Sequence, residues 1–110
     1  MKKAIIIYTL FFLNTAFAQN TIGLPQIINY DNNIFQGGTQ TWDIKQDKSG
    51  RMYFANNEGL ITFDGSYWRK YPQPNKTILR SIALLNDRIY AGGQDELGYF
   101  APDRNGILQY

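Results

Sequence analysis

The sequence predicts an all-β protein, the N-terminal two blades of an incomplete β-propeller behind a signal peptide, each blade a four-stranded antiparallel sheet. Short β patterns recur along the chain at offsets of 37 to 39 residues. The matched pairs are Ile44 with Ile82, Tyr53 with Tyr90, Phe63 with Phe100 and Tyr71 with Tyr110. A fixed period of this length filled with short strands is typical of propeller blades. No stretch after the first 18 residues shows helical periodicity, which favours an all-β class.

The N-terminus has the layout of a secretory signal peptide. Lys2 and Lys3 precede an apolar stretch over residues 4–13, and a small-x-small motif ends at Ala18. This pattern predicts cleavage between Ala18 and Gln19. The apolar stretch is too short for an ordinary membrane-spanning helix, although an uncleaved N-terminal anchor is the alternative. We therefore expect an exported protein that works in the periplasm or another extracytoplasmic compartment.

The composition of the mature chain excludes several kinds of site. Of 11 Lys and Arg residues two lie in the signal peptide, and the remaining nine equal the nine Asp and Glu residues. A net charge of zero gives little support to nucleic-acid binding by this segment. The chain contains no His and no Cys, which excludes a zinc site, a histidine-based triad and disulfides within these residues. We predict no metal and no cofactor.

Residues 19–40 are predicted to form a leader with one strand. Residues 24–30 are apolar with a proline near their start, a position at which a strand tolerates a missing hydrogen-bond donor. Residues 31–33 break this segment with Asp and Asn, which favour turns. A brief apolar segment at residues 34–35 leads to a glycine-containing loop at residues 37–40.

Residues 41–72 are predicted to form the first blade. Alternating and apolar stretches are separated by turns rich in Gly, Asp and Asn, which suit tight hairpins. The predicted strands are residues 41–46, 51–55, 60–63 and 67–71.

After a polar connector, residues 78–110 are predicted to repeat this plan as the second blade. The predicted strands are residues 78–85, 88–91, 98–101 and 107–110. Two blades cannot close a propeller ring, and each blade buries its faces only against its neighbours. We therefore expect the chain to be a fragment of a longer protein, or to fold poorly alone.

The candidate ligand-binding residues follow from the geometry of a blade. The loops between the second and third strands, and those before the first strand, lie at the same end of a blade, where propellers commonly bind ligands. Here these loops are rich in amides and carboxylates, which can orient a polar ligand. The candidates are Gln40, Asn56, Asn57, Glu58, Gln94, Asp95 and Glu96. Solvated loops without a ligand are the alternative.

Nothing in the sequence indicates catalysis. Asp95 and Glu96 are the only adjacent acidic pair, and neighbours on one loop make a poor acid/base dyad for glycoside chemistry. The abundant aromatic residues lie inside predicted strands, which favours packing between blades over stacking on sugars. We predict a protein that is not an enzyme.

Two long motifs resemble the two-component-regulator propeller family. They are WDIKQDKSGRMYFANNEGL at residues 42–60, preceded by Gly23-Leu24-Pro25, and RSIALLNDRIYAGGQDELGYF at residues 80–100. The resemblance implies an extracytoplasmic sensor propeller that is followed by a β-sandwich, a membrane helix and a cytoplasmic kinase or helix-turn-helix output. It also implies that residues 24–30 supply the strand that closes the ring with the last blade.

The predicted function is that of a non-catalytic N-terminal fragment of a periplasmic, ligand-sensing propeller in a transmembrane signalling protein. Its expected partners are a small ligand, such as a glycan fragment, and the remaining blades and downstream modules of a longer chain. The alternatives are a fragment of a secreted propeller enzyme that acts on polysaccharide and a surface interaction propeller. A membrane helix and an output module downstream would favour the sensor, whereas paired carboxylates in later blades would favour the enzyme.

Overall fold

The computed structural model describes residues 1–12 and 23–110, which form a mainly β structure, as predicted. Two helices precede the strands: α1 (Lys2–Phe12) and the single turn α2 (Asn32–Phe35). The strands are β1 (Thr41–Gln46), β2 (Met52–Asn56), β3 (Gly59–Phe63), β4 (Trp68–Tyr71), β5 (Leu79–Leu85), β6 (Arg88–Gly93), β7 (Leu97–Pro102) and β8 (Leu108–Gln109).

Helix α1 contains the two N-terminal lysines and most of the apolar stretch of the predicted signal peptide. The predicted cleavage point between Ala18 and Gln19 lies outside the described residues. Among the described residues, neither helix has the length and apolar character needed to cross a membrane.

The strands form two four-stranded antiparallel sheets in the simple orders β1-β2-β3-β4 and β5-β6-β7-β8. Asp residues close the tight turns, because a short carboxylate can accept hydrogen bonds from nearby backbone amides. Asp47 Oδ1 accepts from the amides of Ser49 (2.9 Å) and Arg51 (3.0 Å) between β1 and β2. Asp103 makes the same pair of contacts between β7 and β8.

The main apolar core lies between the two sheets. The first sheet contributes Tyr53, Ala55 and Leu60, and the second contributes Leu79, Ile82, Ile89, Ala91 and Phe100, all buried. Strand β5 contacts both β1 and β2, so the innermost strand of the second sheet packs on the first sheet. Burial of these side chains is the principal force that joins the two sheets.

The strand registers align the two halves of the chain. Ile44 lies opposite Phe54 as Ile82 lies opposite Ala91. The same alignment matches Tyr53 with Tyr90. Phe63, which lies opposite Met52, likewise matches Phe100, which lies opposite Ile89. Three of the four predicted pairs are therefore confirmed. The sheets therefore share one plan, residue by residue, through their first three strands.

The fourth predicted pair, Tyr71 with Tyr110, is wrong. Tyr71 lies opposite Leu60, whereas the ring of Tyr110 packs on Phe100 at 5.0 Å. Trp68 packs on the matched residue Phe63 at 4.3 Å, with the two rings stacked, whereas Tyr110 meets Phe100 edge-on, so Tyr110 takes the place of Trp68. The cause is a longer hairpin in the second sheet, because β7 continues to Pro102, which pairs with Leu108.

Residues 23–31 form no strand, contrary to the expected strand over residues 24–30. Tyr30 instead places its ring 5.1 Å from that of Trp68, on the face of the first sheet that points away from the second. Asp31 caps α2 by accepting from the amides of Asn33 and Ile34, and Phe35 also reaches Trp68. A strand needs a neighbouring edge for its hydrogen bonds, whereas the apolar side chains of Leu24, Ile27 and Ile28 are exposed here. That residues 24–30 close a ring with a last blade stays a prediction.

Candidate functional site

The predicted ligand-binding residues lie at one end of the two sheets, which we call the loop face (residues 37–40, 56–59, 73–78 and 93–96). The antiparallel order brings the β2–β3 turn beside the segment that enters β1, and the β6–β7 turn beside the segment that enters β5. Two equivalent backbone hydrogen bonds of 3.1 Å fasten these pairs, from Asn57 N to Gln40 O and from Gln94 N to Ile78 O.

Asn56, a predicted ligand residue, is fully buried and holds the loops of the first sheet together. Its Oδ1 accepts from the amides of Gly38 (2.8 Å) and Glu58 (3.1 Å). Its Nδ2 donates to Gly38 O (3.0 Å) and Thr41 Oγ1 (3.2 Å). An amide side chain has two donors and two acceptor lone pairs, and all are used here. Asn56 therefore positions its neighbours and has no bonding capacity left for a ligand.

Its neighbours Asn57 and Glu58 are more accessible. Asn57 Oδ1 accepts from Trp42 Nε1 at 2.8 Å, which fixes the exposed indole at the rim of the loop face. The guanidinium of Arg80, from the second sheet, lies 4.5 Å above the same indole ring. Glu58 pairs with Lys70 Nζ at 2.8 Å, a surface ion pair of small energetic value. At this rim the indole of Trp42, the guanidinium of Arg80 and the side-chain amide of Asn57 lie close together in space.

In the second sheet Glu96 is the centre of a small polar cluster. Its carboxylate accepts from Asn75 Nδ2 and, at 3.1 Å, from the hydroxyl of Tyr110. Burial raises the pKa of the Tyr110 hydroxyl, and the hydrogen bond to Glu96 raises it further, whereas the nearby side chain of Gln73 lowers it in part. The adjoining residues Gln94 and Asp95 are exposed, and their side chains make no hydrogen bond within the described part of the chain. They remain free to contact a ligand.

Gln73 is a site residue that the sequence prediction did not select. It is 1% exposed, and its Oε1 accepts from Thr77 Oγ1 at 3.4 Å. Its Nε2 has no hydrogen-bond partner among the described residues. A buried donor without an acceptor costs about 1–3 kcal/mol, so this amide is well suited to donate to a ligand or to water.

The position of Gln73 follows from a difference between the two sheets. Gly93 lies opposite Leu79 as Asn56 lies opposite Thr41, so Gly93 stands where Asn56 stands in the first sheet. A Cβ at Gly93 would come within 3.0 Å of Gln73 Oε1. The amide of Gln73 thus fills space beside Gly93. The exchange of Asn for Gly at matched positions is the only trace of this arrangement in the sequence.

The loop face therefore combines accessible amides and carboxylates with an aromatic rim. It brings together Gln40, Asn57 and Glu58 in one group and Gln94, Asp95 and Glu96 in another. Among the described residues there is no group of three or more His, Cys, Asp and Glu side chains that could hold a metal ion.

Comparison of the chain with protein-family models, with curated proteins and with solved structures finds no match.

Proposed function

We propose that the chain is the N-terminal part of an exported β-propeller that senses a polar small ligand on behalf of a transmembrane signalling protein. In this proposal each four-stranded sheet is one blade, and residues 1–18 are a signal peptide. Support comes from the two sheets, which share one register through three strands and pack face to face. The two lysines that begin helix α1, followed by its apolar residues, support export.

One observation carries the ligand-binding part of the proposal, namely the buried Nε2 of Gln73 at the loop face, for which the described residues supply no hydrogen-bond partner. The described residues place no acceptor within hydrogen-bond distance of this nitrogen, whereas a hydroxyl or carbonyl oxygen of a ligand would supply one. The neighbouring Glu96 accepts hydrogen bonds, and Gln94 can do either. A ligand that both donates and accepts, such as a glycan fragment, matches this set.

The proposed function is non-catalytic. A ligand that binds one packing arrangement of the blades more tightly than another would shift the population toward it. In a longer chain this shift would pass to the modules that follow. Such a response requires two parts of the molecule. The ligand would bind at the loop face, and the packing of β5 on the first sheet would change in response.

We expect neutral oligosaccharides to bind the loop face. The full chain would be screened against immobilised, structurally defined oligosaccharides, and the best of them titrated by calorimetry. Replacing Gln94 by alanine and Asp95 by glycine should weaken binding by about tenfold or more, because each hydrogen bond contributes about 1 kcal/mol. These side chains are exposed and make no internal hydrogen bond, and glycine suits the φ of 59° at residue 95, so the fold should be unaffected.

The matched control replaces Asp87 and Asn105 by alanine, two exposed turn residues at the opposite end of the second sheet. The control should bind as tightly as the unsubstituted chain. Absence of binding to every oligosaccharide, or equal losses in both variants, would contradict the proposal.

A further inference from the structure

We propose that copies of this chain associate head to tail, through contacts that repeat those between its own two sheets. The outward face of the second sheet in one copy would bind the outward face of the first sheet in the next. The inference rests on the repeat that underlies the proposed function, but concerns assembly and not ligand binding. Three observations support it.

The first observation concerns the outward face of the second sheet. Within one copy, the face of the first sheet that receives β5 carries Tyr53, Ala55, Leu60 and Thr62, all buried. The registers match these positions to Tyr90, Gly92, Leu97 and Tyr99. Leu97 is 84% exposed and Tyr99 is 40% exposed. The second sheet therefore presents to solvent the surface that the first sheet uses for docking.

The second observation concerns the outward face of the first sheet. Ile82, which is buried against the first sheet, is matched by Ile44, which is 52% exposed. The leader covers the β3 and β4 side of this face. There Tyr30 contacts Phe63 and Trp68, and Phe35 contacts Trp68. The inner strand β1 stays open. Because β5 makes the internal contact with the first sheet, β1 is the strand that would make the equivalent contact with a second copy.

The third observation is a hydrogen bond that accompanies the docking. An irregularity in register follows Thr41 in β1 and Leu79 in β5. In β5 the amide of Ile82 donates across the sheets to Asp43 Oδ2 at 3.0 Å. In β1 the matched amide of Ile44 donates only to the adjacent Asp43 Oδ1, at 2.9 Å. The residue matched to Asp43 is Ser81, whose exposed hydroxyl could accept from Ile44 of a second copy.

A second copy is the occupant that these observations favour. Both surfaces belong to the same chain, both are apolar, and each continues an interface that already exists inside the molecule. Because the two surfaces differ, the contact is heterologous, and it generates rings or open chains instead of a two-fold dimer.

The test blocks one face at a time. Ile44→Arg closes the outward face of the first sheet, and Leu97→Arg closes that of the second; both side chains are mostly exposed, so each sheet should still fold. The full chain is expressed in a bacterium with its own N-terminus, and its mass is followed by sedimentation across concentration. We expect the unsubstituted chain to exceed the monomer mass and each variant to be a monomer.

The decisive sample is the equimolar mixture of the two variants. Each partner keeps the face that the other has lost, so the mixture should form a one-to-one dimer and nothing larger. Tyr67→Arg, a change at an exposed turn between β3 and β4, should assemble like the unsubstituted chain.

Three results would overturn the proposal: an unsubstituted chain that stays monomeric, a blocked variant that still assembles, or a mixture that forms no dimer. The first would show that these faces do not bind one another between copies. A monomer that still binds an oligosaccharide would leave the proposed function intact, and an assembly without ligand binding would do the reverse.

Discussion

At the scale of single residues, two buried carboxamides hold the loop face in different ways. Asn56 comes from the turn that it stabilises, and its four hydrogen bonds are all local to the first sheet. Gln73 comes from the connector between the sheets and leaves one nitrogen unpaired. The first arrangement favours rigidity, whereas the second leaves a donor for another molecule.

Replacing Asn56 by alanine should destabilise the full chain by about 2–3 kcal/mol, since the amides of Gly38 and Glu58 and the carbonyl of Gly38 would lose their partners. Asn57→Ala is the matched control: it removes the single side-chain bond to Trp42 and should cost less than about 1 kcal/mol. The free energy of unfolding in urea measures both. Equal costs would show that Asn56 does not hold the loops.

The sequence predicts Asn56 as a ligand-binding residue, whereas in the structure its side chain makes four internal hydrogen bonds. Its partner Gly38 lies 18 residues away in the chain, so its burial depends on a contact that local pattern cannot show. Gln73 was overlooked for a similar reason. Its burial depends on the missing side chain at Gly93. In contrast, Gln94 and Asp95 lie on an exposed turn, which their sequence pattern predicts.

At the scale of the element, the turns set where each strand begins. Gly59 opens β3 with φ at +115°, and a Cβ there would lie 2.5 Å from Tyr71 O on the neighbouring strand. Gly65, between β3 and β4, has a similar φ of +101°, with no neighbour within 4 Å. The two glycines thus share the backbone requirement but only Gly59 also has the close contact.

Gly65→Ala should therefore cost about 1–2 kcal/mol, the usual cost of a left-handed backbone for a residue with a Cβ. Gly59→Ala should cost at least about 2 kcal/mol more, because β4 must shift to accept the methyl group. Thermal unfolding of both variants, followed by circular dichroism, measures the difference. Similar melting temperatures would mean that β4 can shift to accept the methyl group at little cost in free energy.

All eight strands agree with their predicted bounds within one or two residues. Alternation and turn residues are local, and they define a strand well. Strand β7 continues one residue past its predicted end, to Pro102. Proline is compatible with a strand where no ladder donor is required, as at its pairing with Leu108. The strand predicted over residues 24–30 does not form. No sequence pattern shows whether a neighbouring edge exists with which such a strand could pair.

At the scale of the whole molecule, Asp43 connects the two sheets through its bond to the amide of Ile82. Partial burial raises the pKa of Asp43, but hydrogen bonds from Ile82 N and Lys45 Nζ outweigh this effect, so the pKa lies below the ordinary 3.8. A carboxyl with a lowered pKa in the folded state stabilises the fold above its unfolded pKa. This contribution is lost as the pH falls through the folded value.

Asp43→Asn should accordingly lower the free energy of unfolding by about 1 kcal/mol at pH 7, and the difference should shrink as the pH approaches 3. Urea unfolding at several pH values measures it, with Asp87→Asn, an exposed turn residue, as the control. A difference that stays constant with pH would show that the charge of Asp43 does not contribute.

Because Gln73 packs beside Gly93, the second half of the chain, taken as a structural unit, begins before its first strand. The second sheet begins at Leu79, but the side chain beside Gly93 belongs to residue 73. An engineer who transplants this half, or splices another repeat in front of it, should cut between Tyr71 and Gln73. A graft that starts at residue 78 would carry an unfilled hollow into its new host.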